Sequence, residues 1–332
     1  MQVAYQVLKQ LAFGHFNSGE ALAKMIHVSR ARIWQAIEVL RTWGLDIYSV
    51  PGRGYRLNAP LELLDQNKIA SHLYGDAISE IKHIDVFDSI DSTNDHIFQA
   101  LDRGLNYSGY VVTAESQKKG RGRYGRTWAS PFGQNLCTSL YWSIPKSHKQ
   151  LSGLSLVVGI AVIKAIQQVC GVEHALGLKW PNDIWFQDKK LAGILVETRT
   201  NAYRSDLLDV IIGIGCNTSK VHDPELKNIA TSLEEIYQLK ISRNELMGHL
   251  LSEVVVSLKR FLQEGLEPFI NEWKNFDLLF DQMVELHFPD QKSLTGRCLG
   301  INQTGALCVE VDKVQKTFLS SEVRVRPYAT VC

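Results

Sequence analysis

Long hydrophobic runs are missing from this 332-residue chain: no stretch of about 18 apolar residues occurs, which excludes a membrane-spanning helix. The opening Met-Gln-Val-Ala-Tyr-Gln lacks the basic-then-apolar order of a signal peptide, so a cytoplasmic location is expected. The six cysteines, Cys137, Cys170, Cys216, Cys298, Cys308 and Cys332, include no Cys-x-x-Cys pair and fall in apolar or terminal sequence. They read as reduced thiols, and no metal site is expected from them. The absence of any Gly-Lys dipeptide removes a Walker-type phosphate loop. A regular βαβ rhythm is also lacking, which favours an α+β arrangement with a mixed sheet covered by helices.

Net charge is only +1, but it is unevenly spread. Residues 1–60 hold seven Lys or Arg against three Asp or Glu, a balance of +4 that leaves −3 for the rest. The chain is long enough for two or three domains, and this basic part reads as a nucleic-acid reader tethered to something larger. Apolar spacing predicts a helix over 3–13 with Val3, Val7, Leu8 and Leu11 on one face. A second, capped by Ser18, carries Ala21, Leu22, Met25 and Ile26, and after His27-Val28 Ser29 caps a third. In that third helix Ile33, Ile37 and Leu40 face inward, leaving Arg30, Arg32, Trp34 and Gln35 toward solvent at the end where a recognition helix meets DNA. A strand over 45–50, the turn Pro51-Gly52-Arg53-Gly54 and a strand over 55–57 complete a winged helix-turn-helix. A small helical protein-binding domain would share the patterning. The basic balance and Arg53 at the wing tip favour DNA, with Ser29, Arg30, Arg32, Gln35 and Arg53 as candidate contacts.

Residues 120–128 read Gly-Arg-Gly-Arg-Tyr-Gly-Arg-Thr-Trp. Gly120, Gly122 and Gly125 let the backbone approach a phosphate with no Cβ in the way. Arg121, Arg123 and Arg126 supply forked donors for phosphate or carboxylate, and Trp128 offers a flat face for a base. The glycines also fit Gly-x-Gly-x-x-Gly, but Pro131 and Gly133 follow where a dinucleotide-binding loop would open a helix, so that reading fails. The plainer alternative is an exposed basic loop.

Around this loop other polar groups gather. A strand over 84–87 leads to Ser92, Thr93 and Asn94 at the start of a helix near Asn94, where free amides suit a small polar ligand; capping alone would explain one of the three. A strand over 110–113 leads through Glu115 and Gln117 into the glycine-arginine loop. After a strand over 136–142 and a helix over 154–169, a strand over 176–180 ends in Lys179-Trp180-Pro181-Asn182-Asp183. Lysine is costly to bury without an anion, so Lys179 either points into a ligand site or reaches solvent from a strand edge. A hairpin over 184–198 is expected to turn at Asp188-Lys189, with Gly193 leaving room on one face for a ligand or neighbouring chain. In the strand over 210–216, Gly213 and Gly215 mean tight packing or the close approach of a ligand. The polar stretch 217–232 reads as a lid-like loop. Helices over 243–264 and 266–275 follow, then alternating strands over 284–288, 293–301, 306–311 and 315–319 that suggest a small β-barrel with a docking or stabilising role. The expected domains are 1–60, 61–280 and 281–332.

With these motifs in place the chain resembles, over essentially its whole length, the bifunctional biotin protein ligases of enterobacteria that double as biotin operon repressors. The resemblance rests on Asp91-Ser92-Thr93-Asn94, Gln117 with Gly120 to Trp128, Lys179 to Asp183, Lys190 to Glu197, and Gly213 to Asn217, in this order after a winged helix. It implies a central fold similar to class II aminoacyl-tRNA synthetases, as in biotin and lipoate ligases, and an SH3-like barrel at the end. It also implies an ATP- and Mg²⁺-dependent biotin-[acetyl-CoA-carboxylase] ligase. Biotin would attack the α-phosphate of ATP to give biotinyl-5′-AMP, and a lysine of the biotin carboxyl carrier protein would then displace AMP.

Carried across residue by residue, Ser92, Thr93, Asn94, Gln117, Gly120, Arg121, Gly122, Arg123, Lys179, Gly193, Gly213 and Gly215 would bind biotin. Arg121, Arg123, Arg126, Trp128, Lys179, Asn182 and Asn217 would hold the nucleotide, with Lys179 and Arg123 serving the reacting centre. The adenylate-bound protein would form a homodimer on biotin operator DNA. One departure stands out: residues 218–232 hold no Trp, Phe or Tyr, whereas the enterobacterial loop can cap the adenylate with a tryptophan. Tyr124 also stands where the best-known member has arginine. The alternatives are a monofunctional ligase whose N-terminal unit does not bind DNA, and a transcription factor with a vestigial sensor domain. A lipoate ligase fits less well, because the glycine triplet of that family is absent.

Overall fold

The computed structural model describes residues 2–146, 151–171, 176–201, 203–221, 223–290 and 292–328, so Cys332 and the end of the 281–332 segment lie outside it. At the N-terminus, α1 (Gln2–Leu11), α2 (Gly19–Ile26) and α3 (Arg30–Thr42) precede the hairpin of β1 (Ile47–Val50) and β2 (Gly54–Leu57). Ser18 and Ser29 cap their helices as expected, accepting from the amides of Ala21 and Arg32. Val7, Leu8 and Leu11 of α1 close against Ile33, Ile37 and Leu40 of α3 in a core of their own. The inward face of α2 departs from expectation: it centres on Leu22, Ala23 and Ile26, leaving Ala21 and Met25 exposed. At 100° per residue both fall outside that stripe, beyond its Leu22 edge.

The central region runs α4 (Gln66–Ser71), α5 (Ala77–Glu80), β3 (His83–Phe87), α6 (Thr93–Asp102), β4 (Tyr110–Ala114), β5 (Asn135–Pro145), α7 (Leu154–Cys170), β6 (Leu176–Lys179), β7 (Asp183–Phe186), β8 (Lys189–Thr200), β9 (Leu207–Asn217), α8 (Leu233–Tyr237), α9 (Arg243–Glu264) and α10 (Glu267–Phe276). Its seven strands lie in the order β3-β4-β5-β9-β8-β7-β6, parallel only between β3 and β4, which is the mixed sheet expected. The β7–β8 hairpin turns at Gln187-Asp188, one residue earlier than the spacing suggested, with Gln187 in the left-handed region.

Alternation along β9 sorts the two faces of this sheet. Val210, Ile212, Ile214 and Cys216 join the apolar core with α7 and α9, while Ile211, Gly213, Gly215 and Asn217 look the other way, toward α6 and the glycine-arginine loop. Large side chains therefore fill one face and leave space on the other.

The C-terminal strands β10 (Met283–His287), β11 (Ser293–Ile301), β12 (Leu307–Val311), β13 (Val314–Phe318) and β14 (Arg324–Pro327) form an antiparallel sheet in the order β13-β12-β11-β10-β14. A β13–β14 ladder that would close the expected barrel is not among the pairings of the described residues. This sheet shares one continuous core with the central region. Trp180 pins the two together, donating from its indole nitrogen to the Gly305 carbonyl at 3.0 Å.

The winged helix is tied on as well. Phe132, just beyond the glycine-arginine loop, is buried and stacks on Trp43 at 4.8 Å between ring centres. Near the linker, buried Arg243 and Glu115 pair at 2.7 Å, and Glu115 also accepts from the Leu64 amide at 2.6 Å.

Candidate active site and nucleic-acid interface

The open face of β9 is the floor of the site. A Cβ built on Gly213 would lie 2.4 Å from Asn94 Oδ1, and one on Gly215 would lie 2.5 Å from Trp128 Cε2. At Gly193 on β8 the same test meets Lys190 Nζ at 3.0 Å and the Trp128 ring at 3.4 Å. These glycines thus make room for the protein's own Asn94 and Trp128, which line the cavity beside them. Gly215→Ala is expected to destabilise the fold by about 1–3 kcal/mol through overpacking and to displace Trp128. An unchanged urea midpoint together with unchanged nucleotide binding would remove that role for the glycine.

Ser92, Thr93 and Asn94 are buried at the start of α6 and fully engaged. Ser92 caps the helix, so α6 begins at Thr93. Gln117 Oε1 accepts from both the Thr93 amide and hydroxyl, at 2.8 and 3.1 Å. Ser139 on β5 donates toward Thr93 Oγ1 at 2.7 Å, and Asn94 Nδ2 donates to Glu197 at 2.7 Å. This network, rather than capping alone, explains why three polar residues follow one another here. It fixes the side chains against the floor with little freedom left to lose.

The arginines of the loop take distinct places. Arg121 is held by carboxylates, pairing with Asp95 and with Glu197 at 3.1 Å; burial works against its charge, but these two acids outweigh burial and raise its pKa. Arg123 is half-buried, donates to the Ser320 carbonyl at 2.8 Å and has its pKa lowered, chiefly by burial. Arg126 is exposed on the rim. Gly120 alone among the expected ligand residues stays out of the cavity, packed against the Trp128 carbonyl and Gln117.

Lys179, at the end of β6, does face the cavity, with its ammonium 4.0 Å from the centre of the Trp185 ring. Burial lowers its pKa, opposed by Asp183 and reinforced by Arg326, Lys190 and Arg126. Asn182 and Asn217 complete the wall, anchored to the carbonyls of Ile194 at 2.8 Å and Thr231 at 3.0 Å. The cavity is open to solvent and holds about 950 Å³, at the upper end for a small-molecule site.

Sequence reasoning missed several contributors. Arg324 and Arg326 on β14 and Ser320 in the connection before it line the cavity, so the C-terminal segment forms part of its wall. Lys190 enters it paired with Asp183 at 2.7 Å. From the 217–232 stretch, aliphatic Leu226, Ile229 and Ala230 reach it in place of an aromatic cap. Ile229 is 58% exposed, an apolar side chain that a ligand could cover.

On the winged helix, Arg30, Arg32, Trp34 and Gln35 are exposed along one side of α3, with Ser29 exposed at its cap. Arg32 Nη1 donates to Gln35 Oε1 at 3.1 Å, which orients both outward. Arg53 leaves the wing tip and lies 4.4 Å from the Phe16 ring centre, so the wing cation is steadied by an aromatic the sequence did not single out.

Comparison with known proteins agrees with this geometry. Residues 86–217 match the Biotin/lipoate A/B protein ligase family, and residues 4–56 match an HTH domain. The chain is 38% identical over 326 residues to the bifunctional ligase/repressor BirA of Salmonella typhimurium, covering 98% of each. It is 30% identical over 258 residues to the biotin–[acetyl-CoA-carboxylase] ligase of Mycobacterium tuberculosis, covering 77% of this chain and 92% of that one. The solved biotin protein ligase from Aquifex aeolicus in complex with biotin and ATP superposes with a TM-score of 0.65 at 29% identity, covering 74% of this chain and all of that one. With a winged helix ahead of a ligase cavity and a full-length match to a two-function relative, the chain belongs to the BirA-type family of bifunctional biotin ligase/repressors.

Proposed function

We propose that this chain activates biotin with ATP in the cavity beneath the glycine-arginine loop and passes it to a lysine of the biotin carboxyl carrier protein. The observation that carries the reading is the charge of the cavity wall. Seven lysines and arginines line it (121, 123, 126, 179, 190, 324 and 326) against two aspartates (183 and 188), a balance suited to a carboxylate and a triphosphate together.

In the first step the biotin carboxylate oxygen attacks the α-phosphorus and pyrophosphate leaves. Lys179 and Arg123, both half-buried, are placed to offset the charge that gathers on carboxylate and phosphate, and burial makes each charge count for more. The Ser92–Asn94 turn, Gln117 and Gly122 hold biotin, while Arg126, Trp128, Asn182 and Asn217 take the nucleotide. Mg²⁺ draws charge from the phosphates when bound, and Asp183, a carboxylate on the cavity wall, is the hard oxygen donor that suits it. In the second step the carrier lysine attacks the acyl carbon of the mixed anhydride and AMP leaves. Between steps the arginine loop, Leu226 and Ile229 keep water from the anhydride.

The test is incubation with ATP, Mg²⁺, biotin and a carrier domain, followed by mass measurement; a carrier without one biotinyl amide would overturn the reading. Arg123→Ala is expected to weaken synthesis or retention of the adenylate by about 1.5–3 kcal/mol, the scale for removing a charge-assisted hydrogen bond. Purified variant should leak biotinyl-AMP, and retention equal to wild type would deny Arg123 its role.

The second activity is repression of the biotin operon in the cytoplasm. Adenylate-bound chains pair, and two winged helices meet a two-fold operator through Ser29, Arg30, Arg32, Gln35 and Arg53. Residues 1–60 serve as the DNA reader, 61–280 as the ligase and 281–332 as a β domain that completes the cavity wall. Among the described residues no helix is long and apolar enough to cross a membrane.

A further inference from the structure

We propose that the helical layer behind the sheet carries a site for a divalent transition-metal ion, Zn²⁺ by its ligand chemistry, formed by His72, Glu245 and His249. The three offer ligand atoms that lie within 4.8 Å of one another, and all are half-buried, so an ion has access. Glu245 and His249 stand four residues apart on α9 and therefore stack on one face. His72 caps the end of α4, which comes this close only because α9 has glycine at 248: a Cβ there would lie 2.5 Å from His72 Cβ. Glu245 forms no ion pair among the described residues.

A neighbour that is not itself a ligand prepares His249. Gln168 Nε2 donates to the Glu253 carboxylate at 2.8 Å, and a carboxylate only accepts, so the Gln168 amide has one orientation. Its oxygen then faces His249 Nδ1 at 2.8 Å. That nitrogen must carry the proton, which leaves the lone pair on Nε2. Metal-bound histidines are oriented in this way, with the second ring nitrogen donating to a fixed oxygen. Two imidazoles, one carboxylate and a water make a tetrahedral zinc set, whereas Ca²⁺ and Mg²⁺ prefer more oxygens. Side chains on a helix face need only small rotations to close from their present spacing to the roughly 3.3 Å between ligands of a tetrahedral site. The ion would tie α4, the first helix after the linker, to α9.

The experiment uses the full, tag-free chain stripped by a chelator and titrated with Co²⁺, whose visible absorption reports low coordination, then with Zn²⁺ in competition. One Co²⁺ per chain, displaced by Zn²⁺, is expected, with a rise in unfolding temperature on adding Zn²⁺. The band should vanish in His72→Ala and His249→Ala, and Gln168→Ala should bind about 10- to 100-fold more weakly. None of these residues lines the cavity, so biotinyl-AMP synthesis by each variant serves as the check on folding. No saturable band in wild type, or a band that survives in the two histidine variants, would overturn the site. Unchanged affinity in Gln168→Ala would remove the orienting role of Gln168.

Discussion

Replacing Lys179 with methionine is expected to slow biotinyl-AMP formation by about two orders of magnitude or more, the scale for losing a preorganised charge donor, while leaving the fold intact. Methionine keeps most of the apolar stem that packs at the end of β6, so the substitution separates charge from packing. The size of the effect follows from the surroundings. Burial already disfavours the ammonium, and among the charged groups facing it the Asp183 carboxylate supports it, while Arg326, Lys190 and Arg126 oppose it. A carboxylate and a phosphate arriving together would support the ammonium on binding, and the rate effect comes from the further charge that gathers between them as the α-phosphorus is attacked. The lowered pKa has a further consequence with a definite sign. As pH rises, the free enzyme should lose the Lys179 charge earlier than an exposed lysine would, so its kcat/KM should fall on the alkaline side below the usual lysine range. In Lys179→Met that limb should disappear. A single-turnover rate equal to wild type would end the assignment.

The parts of this molecule that are written in short stretches of sequence were readable there. The helix over 243–264 and the strand over 293–301 have the bounds that spacing gave, and Ser18 and Ser29 cap the two helices they were expected to cap. These features depend on neighbours within a few residues. What escaped depends on distant parts of the chain. Arg324 and Arg326 lie on a four-residue strand whose sequence, Arg-Val-Arg-Pro, resembles a polar tail; only pairing with β10 brings them to the cavity. Nothing near Lys179 in sequence shows that Trp185 lies under its ammonium, because that approach arises from the β6–β7 hairpin register, in which Gly177 stands opposite Trp185. The glycines of β9 were legible as open positions. That Asn94 and Trp128 occupy them required α6 and the loop to be folded over the sheet. Arg121 shows the same limit: its donors were evident, whereas its commitment to Asp95 and Glu197 was not.

Removing residues 1–60 is expected to abolish operator binding, because they carry the +4 balance, the exposed side of α3 and the Arg53 wing. Ligase chemistry should persist, since the cavity-lining groups from Ser92 to Asn217 and from the C-terminal sheet remain. It should not persist unaltered. Truncation strips Trp43 from Phe132, four residues beyond Trp128, and exposes an aromatic ring that is 2% exposed in the whole chain. The glycine-arginine loop would lose the support at its far end, so faster release of biotinyl-AMP is expected from the truncated protein. Arg32→Ala and Arg53→Ala separate the two effects, because neither side chain touches that support. Each should weaken operator binding and flatten its salt dependence by about one unit of slope for every phosphate the variant no longer neutralises. Carrier biotinylation and adenylate retention should stay at wild-type levels in both. Fluorescence anisotropy with operator DNA, saturating biotin and ATP measures the first pair of effects; operator affinity that survives in the truncated chain would sink the assignment of DNA reading to the winged helix.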